Sequence, residues 1–360
     1  MNYTRRDFGK IALASLPAAQ LLAAKPNSVF GGVQIGANTP YIFRGLPGSA
    51  DDILKYVIQT NISAVELRTQ PVEAFLGAPA APGRGGGGAG GARGAAPGGA
   101  RGAAPGEAAG AAPGGARGGA PAAAQRGAAG GGRAPLTPEQ QAAQRAAAET
   151  LRKWRLSRSM NEFKAFRKKY EDAGVLIQIV KVDGFGDFPD DETDYFFQVA
   201  RALGASAMSC EIPVSKTKRV GAFAEKHKMM VGYHGHGNLT DPEAFGRLGA
   251  WEQAFWYSKY NGANVDIGHF FASNGFSPAQ WIKENHTRIT HIHLKDRKAN
   301  NGPNMPWGQG DTPLKEVLQM MKAEKYKFQA TIEMEHPVPA GSDTLTELAK
   351  CVQYCKEVLS

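Results

Sequence analysis

Cysteine is scarce in this chain and odd in number: among 360 residues there are only Cys210, Cys351 and Cys355. Three thiols cannot build a disulfide framework. Cys351 and Cys355 fall four apart on the last predicted helix and Cys210 falls in an apolar strand, so all three read as packing residues. A run long enough to span a bilayer, about 20 apolar residues, is also missing. No glycine-rich dinucleotide fingerprint follows the first predicted strand, which argues against a nucleotide-binding doubly wound sheet. The net charge of +9 is in the wrong place for a nucleic-acid face. Six arginines against Glu107 in residues 79–134, with Arg5, Arg6 and Lys10 against Asp7, hold +7 of it, leaving +2 for everything else. A fold that close to neutral offers no basic groove.

Thr4-Arg-Arg-Asp-Phe-Gly-Lys10 precedes an apolar stretch from Ile11 to about Ala24. This resembles a twin-arginine export signal over residues 1–24, which implies passage through the twin-arginine machinery, a periplasmic or otherwise exported mature protein, and no stable membrane anchor. Between Gly77 and Pro135 the chain falls into Gly, Ala, Pro and Arg, with almost no apolar side chain larger than Ala. Burial there cannot offset the entropy of ordering. Glycine is not held at every third position, so collagen is excluded. The reading is a disordered insertion, residues 78–135, in a surface loop, tolerable because closure entropy grows slowly with length.

Residues 31–77 and 136–360 read as one domain. Gly32–Gly36 is a strand, and Ser49 caps a helix whose first turn carries Asp51 and Asp52. Ile62–Leu67 is the second strand. After Thr137-Pro138 come helices to about Trp154 and over Met160–Asp172, then strand Val175–Val182. Alternation is regular from there. Strands are expected at Ala205–Ile212, Met229–His234, Ala263–Ile267, Ile289–Leu294 and Phe328–Met334. Helices lie between them, and a last one covers Ser342–Val358. Eight short, mostly apolar strands alternating with helices predict a single (β/α)8 TIM barrel of α/β class.

Active sites of such barrels lie at the C-terminal strand ends. Those ends offer Glu66, Glu211, His234 with His236, Asp266 with His269, His291 with His293, and Glu333 with Glu335. Residues two apart share a strand face, so each such pair can point the same way. Carboxylates and imidazoles converging on one mouth suit a divalent cation, with Mn²⁺ as first choice and Zn²⁺, Co²⁺, Fe²⁺ or Mg²⁺ as alternatives.

Several segments carry a resemblance. Val265-Asp-Ile-Gly-His269, Ile289-Thr-His-Ile-His-Leu-Lys-Asp296, Pro306-Trp-Gly-Gln-Gly310 and Ala330-Thr-Ile-Glu-Met-Glu335 resemble motifs of the xylose isomerase-like, sugar phosphate isomerase/epimerase superfamily. The resemblance implies a one-metal TIM barrel with Asp266, His293 and Glu333 as ligands, and His269 and Lys295 contacting substrate oxygens. Many members carry Glu-x-His on strand five, whereas this chain has Tyr233-His-Gly-His236. His234 therefore stands in the glutamate position, with Glu211 as the alternative fourth ligand or base. That variant is similar to the inosose dehydratase-like and 3-keto-glycoside-processing branches.

The expected chemistry is proton transfer beside a carbonyl through an enediolate. Glu333 and either His234 or Glu211 would move protons, and His236 and His269 would orient oxygens. Trp307 would stack on a sugar face or serve packing alone. The expectation is a sugar isomerase or epimerase acting on a free sugar, keto-sugar or glycoside. Alternatives are a metal-dependent dehydratase or lyase, a non-catalytic sugar-binding barrel, and a nucleic-acid enzyme on the same barrel, which the near-neutral fold disfavours. A homo-oligomer is compatible with the sequence.

Overall fold

The computed structural model describes residues 25–80 and 136–360. The export-signal segment lies outside the described residues, as does the expected insertion from residue 81 to 135. Eight parallel strands close on themselves: β1 (Val33–Thr39), β2 (Ala64–Arg68), β3 (Leu176–Lys181), β4 (Ala207–Cys210), β5 (Met230–His234), β6 (Asn261–Asp266), β7 (Ile289–Leu294) and β8 (Gln329–Ile332). Each pairs with the next, and β8 returns to β1 through Ile35↔Ala330, Gly36↔Thr331 and Ala37↔Ile332. The chain is a TIM barrel. A two-residue strand, Val29–Phe30, precedes β1 and pairs with it antiparallel. Among the described residues no helix is long and apolar enough to cross a membrane.

The helices begin where capping chemistry allows. Ser49 accepts from the Asp52 amide at the start of α1 (Ala50–Gln59), and Asp51 and Asp52 sit against its positive end. After β2 come α2 (Thr69–Phe75), then α3 (Pro138–Ser157) and α4 (Met160–Asp172), the last two each opened by a capping box. The remaining helices are α5 (Asp190–Ala202), α6 (Thr217–His227), α7 (Leu248–Tyr257), α8 (Ile267–Asn274), α9 (Ala279–Glu284), α10 (Leu314–Ala323) and α11 (Thr344–Leu359). The long helix α3 buries only Leu151 and Arg155. Arg155 makes a two-pronged contact with Glu73 of α2, Nε to Oε1 at 2.7 Å and Nη2 to Oε2 at 2.9 Å. Its Nη1 reaches Glu192 of α5 at 2.9 Å. A buried ion network thus joins the elements on either side of residues 81–135.

The strands differ from the mostly apolar ones expected. Ile292 and Leu294 face the helices, while His291 and His293 face the barrel axis, where they meet Glu66 of β2. Asn38, Lys181, Ser209, His234, Asn264 and Thr331 are likewise buried polar residues of the strands. Most strand limits also shift by one to three residues, and three of these shifts bear on the site. β4 stops at Cys210 and β8 at Ile332, so Glu211, Glu333 and Glu335 follow their strands instead of ending them. β6 stops at Asp266, because its carboxylate caps a helix that starts at Ile267. All three cysteines are buried and unpaired.

Candidate metal centre

Four strand ends bring one donor each to a common point. His234 ends β5, Asp266 ends β6, His293 lies in β7 and Glu333 follows β8. All four are buried, and their ligand atoms lie within 4.8 Å of one another. Asp266 divides its carboxylate between two tasks. Oδ1 accepts the His269 amide at 2.7 Å and caps α8, while Oδ2 pairs with Lys295 Nζ at 2.8 Å. This arrangement needs a close approach of α8 to β7. A Cβ at Gly268 would lie 2.5 Å from the Lys295 carbonyl oxygen, so glycine is required there.

Charge at the centre is balanced by burial against neighbours. Lys295 is almost fully enclosed, with Nζ 2.8 Å from Asp266, 3.2 Å from Glu333 and 2.8 Å from Glu335. Burial opposes its charge, but the three carboxylates reverse this and raise its pKa above the usual lysine range. Burial likewise opposes ionisation of Glu333, yet Lys295 and His293 hold its carboxyl well below the ordinary range. Asp266 is raised, chiefly by burial. His293 lies between Glu333 (Nδ1 to Oε2, 2.7 Å) and Glu66 (Nε2 to Oε2, 2.5 Å). Burial disfavours its imidazolium, but the two carboxylates override that and raise it to about 10. Burial, reinforced by the charge on His293, keeps His234 neutral.

The residues fit a small divalent cation. A neutral buried imidazole, His234, whose Nδ1 has no hydrogen-bond partner, and the two buried carboxylates of Asp266 and Glu333 converge with His293 in a mixed N/O set. Bonds of about 2.0–2.2 Å to a shared centre need donors of this kind a few ångströms apart. The Glu333 carboxylate is further fixed by Asn38 Nδ2, 3.1 Å from Oε1.

The remaining sequence candidates are placed differently. Glu211 does not join the four. Its Oε1 pairs with buried Lys181 at 2.6 Å and its Oε2 faces His236 Nε2 at 3.3 Å. His236 sits in the loop after β5, half exposed, its ring 4.7 Å from that of His234 and 5.1 Å from that of His269. It therefore does not share a strand face with His234. His269 lies in the first turn of α8. Arg297 Nη1 is 2.6 Å from its Nδ1, and since a guanidinium only donates, that nitrogen accepts and Nε2 carries the hydrogen. Trp307 is half-buried and packs edge-on against Tyr354 of α11, at 5.8 Å between rings.

Other residues of the centre escaped the sequence reading. Tyr41 donates to Glu335, and Arg44 pairs with the same carboxylate at 3.0 Å. Asp296 accepts the backbone amides of Gly308, Gly310 and Thr312 and so ties down the loop after β7. Lys181, the last residue of β3, could have been found by extending the strand-end rule to lysine. Tyr41 and Arg44 lie beyond any strand end and leave no such signal.

Residues 210–354 match the family model described as a xylose isomerase-like TIM barrel, under half of the chain. No curated protein matches the sequence. Among solved structures, the fold is similar to a xylose isomerase domain protein from Alicyclobacillus acidocaldarius (11% identity, 91% of this chain and 99% of that one, TM-score 0.54). It is also similar to the probable 3-DHS dehydratase AsbF from Bacillus anthracis (11%, 89% and 98%, TM-score 0.52). A third is a xylose isomerase domain containing protein from Salmonella typhimurium (12%, 92% and 98%, TM-score 0.51). Identities this low describe a shared fold.

Proposed function

We propose that the protein is a divalent-metal-dependent enzyme that isomerises or epimerises a free sugar, keto-sugar or glycoside through an enediolate. The observation that carries this reading is the buried convergence of His234, Asp266, His293 and Glu333 at the C-terminal mouth of the barrel. A divalent cation bound there supplies positive charge for the oxygen of a carbonyl whose neighbouring carbon loses a proton. Glu333, kept anionic by Lys295, takes or returns that proton. His269 donates its Nε2 hydrogen to a substrate oxygen, because Arg297 occupies the other ring nitrogen. Lys295 holds Asp266, Glu333 and Glu335 in register and offsets their mutual repulsion. His236, oriented by Glu211, contacts oxygens at the rim. The twin-arginine-like segment supports an exported protein and a substrate without phosphate.

A second reading, a dehydratase or lyase, is favoured by His234. An imidazole in that position leaves Glu333 without a second carboxylate on β5, which suits removal of one proton and loss of a β-substituent.

The test is incubation with Mn²⁺ and keto-sugars or 3-keto-glycosides in deuterated water, followed by NMR. Deuterium incorporation without elimination supports the isomerase or epimerase, and release of an aglycone or water supports the lyase. Turnover that survives Asp266→Ala, or no turnover with any divalent ion, overturns both and leaves a sugar-binding barrel.

A further inference from the structure

Beside the four donors lies a carboxylate that this function does not use. Glu66 of β2 is fully buried. Its Oε2 is 2.5 Å from His293 Nε2 and 3.4 Å from His291 Nε2. The other nitrogen of the His293 ring, Nδ1, is 2.7 Å from Glu333 and faces the donor cluster. A neutral imidazole has one N–H and one lone pair, and its environment selects which nitrogen bears each. Two acceptors cannot face each other at 2.5 or 2.7 Å without a hydrogen between them, so without a cation both ring nitrogens carry one; a cation at the cluster would displace the hydrogen on Nδ1, and the one on Nε2 stays and donates to Glu66.

One contact competes. Asn264 Nδ2 lies 3.1 Å from the same Nε2 and would favour the opposite tautomer, while Asn264 Oδ1 is buried without a partner. Turning the amide over places the oxygen beside the Nε2 hydrogen and the Ser209 hydroxyl, which removes the clash of two donors and moves the unpartnered position to Nδ2. Between an anionic acceptor at 2.5 Å and a neutral amide at 3.1 Å, the charge-assisted bond is the stronger.

We propose that Glu66 is a positioning residue for the cation site: it holds His293 as the Nε2–H tautomer and so aims the Nδ1 lone pair at the point shared by His234, Asp266 and Glu333. This rests on reading those four residues as a cation site. A carboxylate behind a ligating imidazole fixes the ring and raises its basicity, and removing it weakens metal binding by about 10–100-fold.

The experiment titrates Zn²⁺ alone, against a chromophoric chelator, into the full chain stripped of metal. One equivalent binds to the wild type. Glu66→Ala also takes one equivalent, about 10–100-fold more weakly, and Glu66→Gln, which keeps an acceptor but no charge, falls between. In ¹⁵N-histidine-labelled, zinc-loaded wild type, long-range ¹H–¹⁵N correlations place the His293 hydrogen on Nε2, an outcome that a merely structural role for Glu66 would not dictate. Wild-type zinc affinity in both variants overturns the proposal, and so does a hydrogen on Nδ1. A second equivalent of Zn²⁺ lost on Glu66→Ala also overturns it, since Glu66 would then be a ligand. If Glu66→Ala does not fold, the near-isosteric Glu66→Gln and the wild-type spectra still decide. Asp266→Ala separates the two levels. If it binds Zn²⁺ as well as wild type does, the cation site itself is wrong; if it loses Zn²⁺ while Glu66→Gln binds normally, only the positioning role falls.

Discussion

In the metal-free protein His293 should make stability fall as pH rises. Its folded pKa is raised to about 10 by Glu333 and Glu66 against the opposing effect of burial, whereas the unfolded value is about 6.5. A raised histidine contributes its full stabilisation below the unfolded value and loses it as pH climbs towards the folded one. Between these limits the native state holds one more proton, so unfolding free energy drops by about 1.4 kcal/mol per pH unit. The three histidines nearest to it do not interfere. His234, His269 and His291 are depressed, chiefly by burial, and act below pH 6.5. The three cysteines, raised by burial, add to the loss as pH approaches 8.5. From pH 7 to 8.5 the share due to His293 is about 2 kcal/mol, and it is this share that a His293 substitution removes. Urea unfolding in chelator, followed by circular dichroism at several pH values, measures it directly. His293→Gln should flatten the slope, and saturating Zn²⁺ should remove it by displacing the same proton. A metal-free wild type whose stability is level or rises across that window would refute the reasoning.

Asp266→Ala should abolish stoichiometric binding of Mn²⁺ or Zn²⁺, seen by calorimetry, with the barrel's circular dichroism retained and α8 weakened by about 1 kcal/mol through loss of its cap. Arg155→Ala should cost about 3–5 kcal/mol in urea unfolding, because it strands the buried carboxylates of Glu73 and Glu192; a cost under 1 kcal/mol would mean that water replaces the guanidinium. Asp296→Ala should leave the fold intact but speed proteolytic cleavage between Gly308 and Thr312, since three backbone amides lose their shared acceptor. Replacing residues 81–135 by a Gly/Ser linker about one-fifth as long should keep cooperative unfolding and shift stability by only about 1.4 kcal/mol.

Period and punctuation carried the barrel. β7 has the limits read from its alternation, and α1 starts at the cap assigned to it, because both signals are local. Where one residue serves two purposes, local reading fails. Asp266 looks like the close of a strand and is also the cap of a helix, so the strand pattern hides α8. α2 has no side-chain cap at Arg68 to announce it in the sequence. Donors at the ends of neighbouring strands could be gathered by topology alone, but their division of labour could not. That Glu211 turns to Lys181 while His234 turns to the cluster depends on distances across the barrel. The contact between Glu66 and His293 joins residues 227 apart in sequence, and no spacing announces it.

The ion network around Arg155 bears on how this sequence can drift. Glu73 and Arg155 stand on opposite sides of the glycine- and alanine-rich segment, and Glu192 holds the pair against α5. The two flanks are thus fastened to the barrel wall, whatever the length of chain between them. Insertions and deletions there become almost neutral changes for the fold, while a single substitution at Arg155 is not. The barrel therefore sets little limit on the length of this segment, and the four donors at its mouth are held by elements that the segment does not touch through this network.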